Sequence, residues 1–287
     1  VAIVNPTEFE TYYSDNPITF EGIIGDFEDD VSELVYEWSS SIDGTLNMGS
    51  VIVESDGSIL GSTYLSEEIH FITLRVEDTT GKVASANKTI TVGGPNNDPT
   101  CEIVTPNSGI AVPIGDLVTF EGLATDEDIN NNQLLVEWTS DKMEGVIGSS
   151  TPTSSGEVLF SYSDLTVDTH TLTMTVTDEK GATCSDFISV TVGTPPSVTI
   201  DAPTSGTYNE GETINFSATV SDNEDQPNEV GLIWSLSDGT VLSEQSATSD
   251  GQAQFILNDL PFGEHIVSLN AIDTDGLTAS DLVNFTI

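Results

Sequence analysis

The chain has 287 residues, 37% of them hydrophobic, with 48 Asp and Glu against 5 Lys and Arg, a formal net charge of −43. So few cations exclude nucleic acid and anionic membranes as partners, because binding phosphate takes clustered Lys and Arg. No apolar run reaches the roughly 18 residues of a membrane-spanning helix. The carboxylates must then face water, salt or bound cations. Two compatible readings follow. One is Ca²⁺ held by carboxylate-rich loops. The other is a halophilic or marine medium whose ions screen the self-repulsion.

The chain opens on Val1-Ala2-Ile3-Val4, already strand-like and without an initiator Met or signal-like segment, which reads as a mature product or a piece of a longer polypeptide. Ile18, Phe20, Gly22 and Ile24 then alternate with outward neighbours, the period of a half-buried strand. Trp38 follows, then the strand Ile72, Leu74, Val76 with His70 just before it. The same order returns twice. Phe120, Trp138, His170 and Leu172 form the second set, and Phe216, Trp234, His265 and Val267 the third. A spacing of about 100 residues is the size of one small β-domain and too long for a solenoid repeat.

The division is therefore 1–94, 95–194 and 195–287. The joints 93–99 and 193–196 are rich in Gly and Pro, which makes semi-stiff links and an extended rod. Each copy reads as about seven strands with no amphipathic helix. The Trp lies on the third strand, packed against the Phe of the second and the apolar stripe of the sixth, which is the pin of an immunoglobulin-like sandwich. The fold expected is all-β: three tandem immunoglobulin-like β-sandwich domains.

The segments 37–44, 170–181 and 233–239, Glu-Trp-Ser-Ser-Ser-Ile-Asp-Gly, His-Thr-Leu-Thr-Met-Thr-Val-Thr-Asp-Glu-Lys-Gly and Ile-Trp-Ser-Leu-Ser-Asp-Gly, resemble the polycystic-kidney-disease-type (PKD) and cadherin-like repeats of archaeal and bacterial surface proteins. The compact Trp-Asp-Phe-Gly-Asp-Gly of PKD domains is absent, so the resemblance is to the broader group. It implies an extracellular, cell-surface setting, since such repeats occur in surface layers, adhesins and as spacers of secreted hydrolases.

Cys101 and Cys184 both fall in the second copy, on its first and last strands, which in such a sandwich can run side by side in parallel. A disulfide is expected, against the alternative of a small apolar pair such as Val1 and Ala84 of the first copy. The three histidines share one slot, two residues before the sixth-strand apolar position. That is where antibody-type domains keep a tyrosine corner. They read as fold determinants, and without another histidine no Ser-His-Asp or Cys-His arrangement has a base. The chain is expected not to be an enzyme.

The sharper constellation is acidic. The loop after the second strand carries Asp26 and Glu28, Asp126 and Asp128, or Asp222; the turn after the sixth carries Asp78, Asp178 or Asp273. Both lie at one pole of a sandwich, and the first joint adds Asn97 and Asp98. Ca²⁺ takes six to eight oxygens, so these ten residues are its candidate ligands, with the first joint favoured over the acid-free second one. Asp, Asn and Gly are also plain turn formers, and the sixth-strand Asp can simply bond its own turn. Asn87, Asn215 and Asn284 fit the N-glycosylation pattern and are the candidate glycan carriers. The functional expectation is a structural segment of a secreted surface protein, whether surface layer, filament or adhesin stalk. Its partners would be copies of itself, other surface proteins or glycans. The alternative is a spacer or binding module of a secreted hydrolase.

Overall fold

The structure is a computed structural model and describes residues 1–49 and 51–287. It falls into two compact units, Val1–Asp98 and Pro99–Ile287. The first unit holds one sandwich and the second holds two, each with its own hydrophobic core.

In the first unit the strands are β1 (Ala2–Asn5), β2 (Tyr12–Tyr13), β3 (Ile18–Ile23), β4 (Val35–Ser40), β5 (Gly44–Thr45), β6 (Ile52–Val53), β7 (Ser58–Thr63), β8 (Glu68–Glu77) and β9 (Val83–Gly93). They form two facing sheets, in the orders β1-β3-β7-β6 and β2-β9-β8-β4-β5. The second sandwich has β10 (Thr100–Thr105), β11 (Ile110–Pro113), β12 (Val118–Thr125), β13 (Leu135–Ser140), β14 (Val146–Ser150), β15 (Glu157–Tyr162), β16 (Asp168–Thr177) and β17 (Thr183–Gly193). Its sheets are β10-β12-β15 and β11-β17-β16-β13-β14. The third has β18 (Ser197–Ala202), β19 (Ile214–Ser221), β20 (Gly231–Leu236), β21 (Val241–Ser243), β22 (Gln252–Leu257), β23 (Glu264–Ile272) and β24 (Thr278–Thr286), ordered β18-β19-β22 and β21-β20-β23-β24. This is the immunoglobulin-like layout, three times over.

In every copy the opening strand is split. It pairs antiparallel with the second strand, reaches a cis X-Pro bond at Asn5-Pro6, Thr105-Pro106 or Ala202-Pro203, and then crosses to the other sheet. There it pairs in parallel with the last strand. The pairing runs over Tyr12–Tyr13 on Val92–Gly93 in the first sandwich and over Ile110–Pro113 on Val190–Gly193 in the second. In the third it is the single bridge Thr207–Thr286.

Cys101 lies on β10, which is hydrogen-bonded to β12 and not to β17, although the Ile103 N–H of β10 reaches Asp186 on β17. The parallel partner is β11. Cys101 and Cys184 are joined, with Cα atoms 6.0 Å apart, and the bridge ties one sheet to the other at the edge of the core.

The alternating apolar positions all turn inward: Phe20, Phe120 and Phe216 are fully buried, as are Leu74, Met174 and Leu269 of the sixth strands. Each Trp sits 5.3, 5.4 or 5.9 Å, ring to ring, from its Phe. Such aromatic contacts add about 0.5–1.5 kcal/mol beyond burial. Room for the first indole is made by Gly22. A Cβ there would come 2.9 Å from Trp38 Cζ2 and 2.6 Å from Leu74 Cδ2, whereas the third copy fills the place with Ala218. Gly22→Ala should therefore destabilise the first unit by about 1–3 kcal/mol through overpacking. The check is the urea midpoint at constant m-value; an unmoved midpoint would mean that the indole can yield.

Candidate functional site

The buried polar groups divide into a histidine on the core side of each sixth strand and the acidic turns at one pole. His70 and His170 are completely buried and His265 nearly so. Each Nε2 lies 2.7 Å from the backbone carbonyl four residues earlier, that of Ser66, Thr166 or Pro261. A carbonyl can only accept, so Nε2 carries the proton and Nδ1 of the neutral ring accepts. In the first two copies that acceptor takes the hydroxyl of Ser40 at 2.7 Å or Ser140 at 2.8 Å. The serine oxygen in turn accepts the N–H of Ile42 or Lys142, closing the turn after the third strand. The third copy has Leu236 at the serine position, and His265 instead lies 5.6 Å from the ring of Phe285.

The imidazoles thus clamp the loop before the sixth strand, as the tyrosine corner does in antibody domains. In the first copy the clamp extends to Asp43. Burial acts to raise its carboxyl, but the hydrogen bonds from the Ser66 hydroxyl and N–H outweigh this and hold it below the ordinary carboxylate value.

The acidic poles are built from turns. Asp26 Oδ1 accepts the N–H groups of Glu28 and Asp29 at 2.8 and 3.2 Å. Asp126 Oδ1 does the same for Asp128 and Ile129 at 2.7 and 3.1 Å, and Asp222 Oδ1 for Glu224 and Asp225 at 2.8 Å each. In the turn after the sixth strand Asp78 accepts from the N–H of Thr80 and Lys82, Asp178 from Lys180 and Ala182, and Asp273 from Leu277. Glu28 lies 3.9 Å from Lys82 Nζ. Asn97 and Asp98 are exposed and belong to the first unit, while Asp126, Asp128 and Asp178 belong to the second.

Six of the ten candidate ligands therefore direct one carboxylate oxygen at turn backbone. Among the described residues no three His, Cys, Asp or Glu side chains are gathered to hold a metal ion. The opposite oxygens Asp126 Oδ2 and Asp222 Oδ2 are buried with no hydrogen-bond partner.

Two pole contacts escape a reading of the sequence. Asp29 receives the N–H and hydroxyl of Thr79, and Asp225 those of Thr274, latching the loop after the second strand to the turn after the sixth. The second copy has Ile129 and Glu179 there; Ile129 packs on the core, and the disulfide stands at the same pole. Repetition of Asp and Thr in the outer copies, broken together in the middle one, was the available signal.

The joint after β17 contains no acid, yet the third sandwich brings its own. Thr194 donates its N–H and hydroxyl to Glu224 at 3.3 and 3.0 Å, and buried Leu277 lies beside Gly193. Burial, with the charges of Asp273, Asp225, Glu224 and Asp222, pushes the Asp275 carboxyl above its ordinary range. The glycosylation candidates Asn87, Asn215 and Asn284 are all exposed on their strands.

Ser140→Ala should leave the buried Nδ1 of His170 without a donor. The expected cost is about 1–3 kcal/mol, read as a lower denaturation midpoint of the second unit. An unchanged midpoint would show the clamp to be idle.

Residues 196–268 match the bacterial Ig-domain family. Among solved structures, a fragment of the titin I-band is 12% identical and spans 97% of this chain and 95% of its own, with a TM-score of 0.48. The fibronectin(III)-like modules of Clostridium thermocellum CbhA are 20% identical over 66% of this chain and 94% of theirs, with a TM-score of 0.39. Domains of this architecture are typically non-catalytic structural or binding modules, and bacterial Ig domains are commonly extracellular. Among the described residues no helix is long and apolar enough to cross a membrane. The chain is a tandem of immunoglobulin-like β-sandwiches, the last of which matches the bacterial Ig-domain family.

Proposed function

We propose that this chain is a load-bearing, non-enzymatic segment of a secreted cell-surface protein of the surface-layer, filament or adhesin-stalk kind. Its neighbours would be other surface proteins or further copies of itself. The observation that carries the reading is the parallel pairing of opening and closing strands. Tension on the two ends of a sandwich draws such strands past each other, so the inter-strand bonds are loaded in shear and must fail together. The pairing spans four register positions in the second sandwich, two in the first and one bridge in the third.

The disulfide changes the path of the load. Tension entering near Cys101 crosses to Cys184 and leaves along β17, so β11 and everything else inside the 83-residue loop is bypassed. Pulling the oxidised chain by its ends should give two unfolding events, the third sandwich yielding before the first. After reduction a third event should appear at the highest force, releasing roughly 280 Å for the 83 residues that were locked. A reduced chain whose second sandwich yields first would defeat this reading.

To the same proposal we add divalent cations at the poles of the second and third sandwiches. Support comes from the donorless Asp126 Oδ2 and Asp222 Oδ2 and from the mutual repulsion felt by Asp275. A Ca²⁺ ion there would complete its shell with backbone carbonyls and water. Ca²⁺ should raise the melting temperature of the second unit above that in Na⁺ of equal ionic strength. Equal melting in the two salts would reduce the effect to screening.

A further inference from the structure

The outer face of the β10-β12-β15 sheet carries a groove of about 500 Å³, lined by Val104, Glu121, Leu123, Thr153, Glu157 and Leu159. The three aliphatic residues are 48, 41 and 64% exposed. Pairing in register makes a checkerboard. Glu121 stands opposite Leu159 and Leu123 opposite Glu157, with Glu102 on the far side of Leu123. None of these three glutamates takes part in an ion pair among the described residues. Glu157 accepts hydrogen bonds from Ser155 and Thr153, which hold it at the rim.

The other copies carry this pattern in part or not at all. The first has the same aliphatic triplet, Val4, Ile23 and Leu60, exposed around Glu21, although there Asn5 bonds the carboxylate at 2.9 Å. The third replaces all three by Asp201, Thr219 and Gln254, with Thr219 bonded to Asp201 at 2.9 Å. A sheet face that needs only solvation takes the third form. The second copy keeps apolar anchors and carboxylates whose charge is unmatched.

Charge decides what fits. A second copy of this chain, with 48 acids and 5 cations, would bring like charge to a carboxylate-lined groove. The matching surface has cations and aliphatic groups at a two-residue period, because side chains on one face of an extended segment recur at every second residue. We propose that this groove docks an extended segment of another protein whose sheet-facing residues, every second one, alternate between Lys or Arg and an aliphatic residue, as in Lys-x-Val-x-Lys-x-Val. Leu123 and Leu159 are its anchors, and Glu121 and Glu157 pair its cations. The proposal is independent of the load-bearing reading.

The test is fluorescence anisotropy of a labelled Lys-Ser-Val-Ser-Lys-Ser-Val-Ser peptide on the full chain at physiological ionic strength. A Lys-Ser-Ser-Ser-Lys-Ser-Ser-Ser peptide of equal charge is the control. Saturable one-to-one binding is expected, weakened at least about tenfold by Leu123→Ser with Leu159→Ser, and likewise by Glu121→Lys with Glu157→Lys. The control should bind at least about tenfold more weakly. Equal binding of both peptides, or no effect of the paired Leu substitutions, would show mere attraction to a polyanion and overturn the proposal. So would absence of saturable binding, or sedimentation of the chain as a dimer that the Leu substitutions dissolve.

Discussion

Burial of one indole between two facing sheets is the constraint on which each sandwich depends. Trp38, Trp138 and Trp234 contact the second-strand Phe and the sixth-strand stripe at once, so they fix both the sheet spacing and the register of the strands that supply them. Removing a buried Trp typically costs about 3–5 kcal/mol, a large share of the roughly 5–15 kcal/mol that holds a domain folded. Gly22, whose missing Cβ leaves room for the Trp38 ring, belongs to the same device, and Gly122 leaves room in the same way for Met174 of the second core. They pass unnoticed in a hydrophobicity pattern because their contribution is space.

Most of this frame was legible in the sequence, since strand alternation is local and triplication exposes what a single copy hides. The inward sets around Phe20, Phe120 and Phe216 and the structural role of the histidines could be read directly. Less could be read where the chain pairs with distant segments. The split opening strand depends on a crossover at Pro6, Pro106 and Pro203, and only the topology shows that Cys101 and Cys184 lie on opposite sheets. The acidic loops were ambiguous for a different reason. Asp26, Asp126 and Asp222 suit a turn and a cation equally well by residue type, and only the structure shows how their oxygens are used. There each Oδ1 points at backbone N–H.

The copies also differ in ways that a repeat pattern smooths over. Ser40 and Ser140 complete the histidine clamp, while Leu236 converts the third to packing against Phe285. Lys142 sits 3.0 Å from Asp168, and Arg75 pairs with Glu77, both at exposed sites where an ion pair adds little stability. The excess acid is a property of the surface and leaves the three cores untouched.

The poles are fastened by different chemistry. Asp29 with Thr79 and Asp225 with Thr274 are weak fasteners that re-form spontaneously once the strands return. The middle sandwich has a covalent stitch, which heals only if an oxidant is at hand. A chain subjected to repeated stretching would therefore have two outer springs that reset unaided, around a central seam that an oxidising environment keeps sewn.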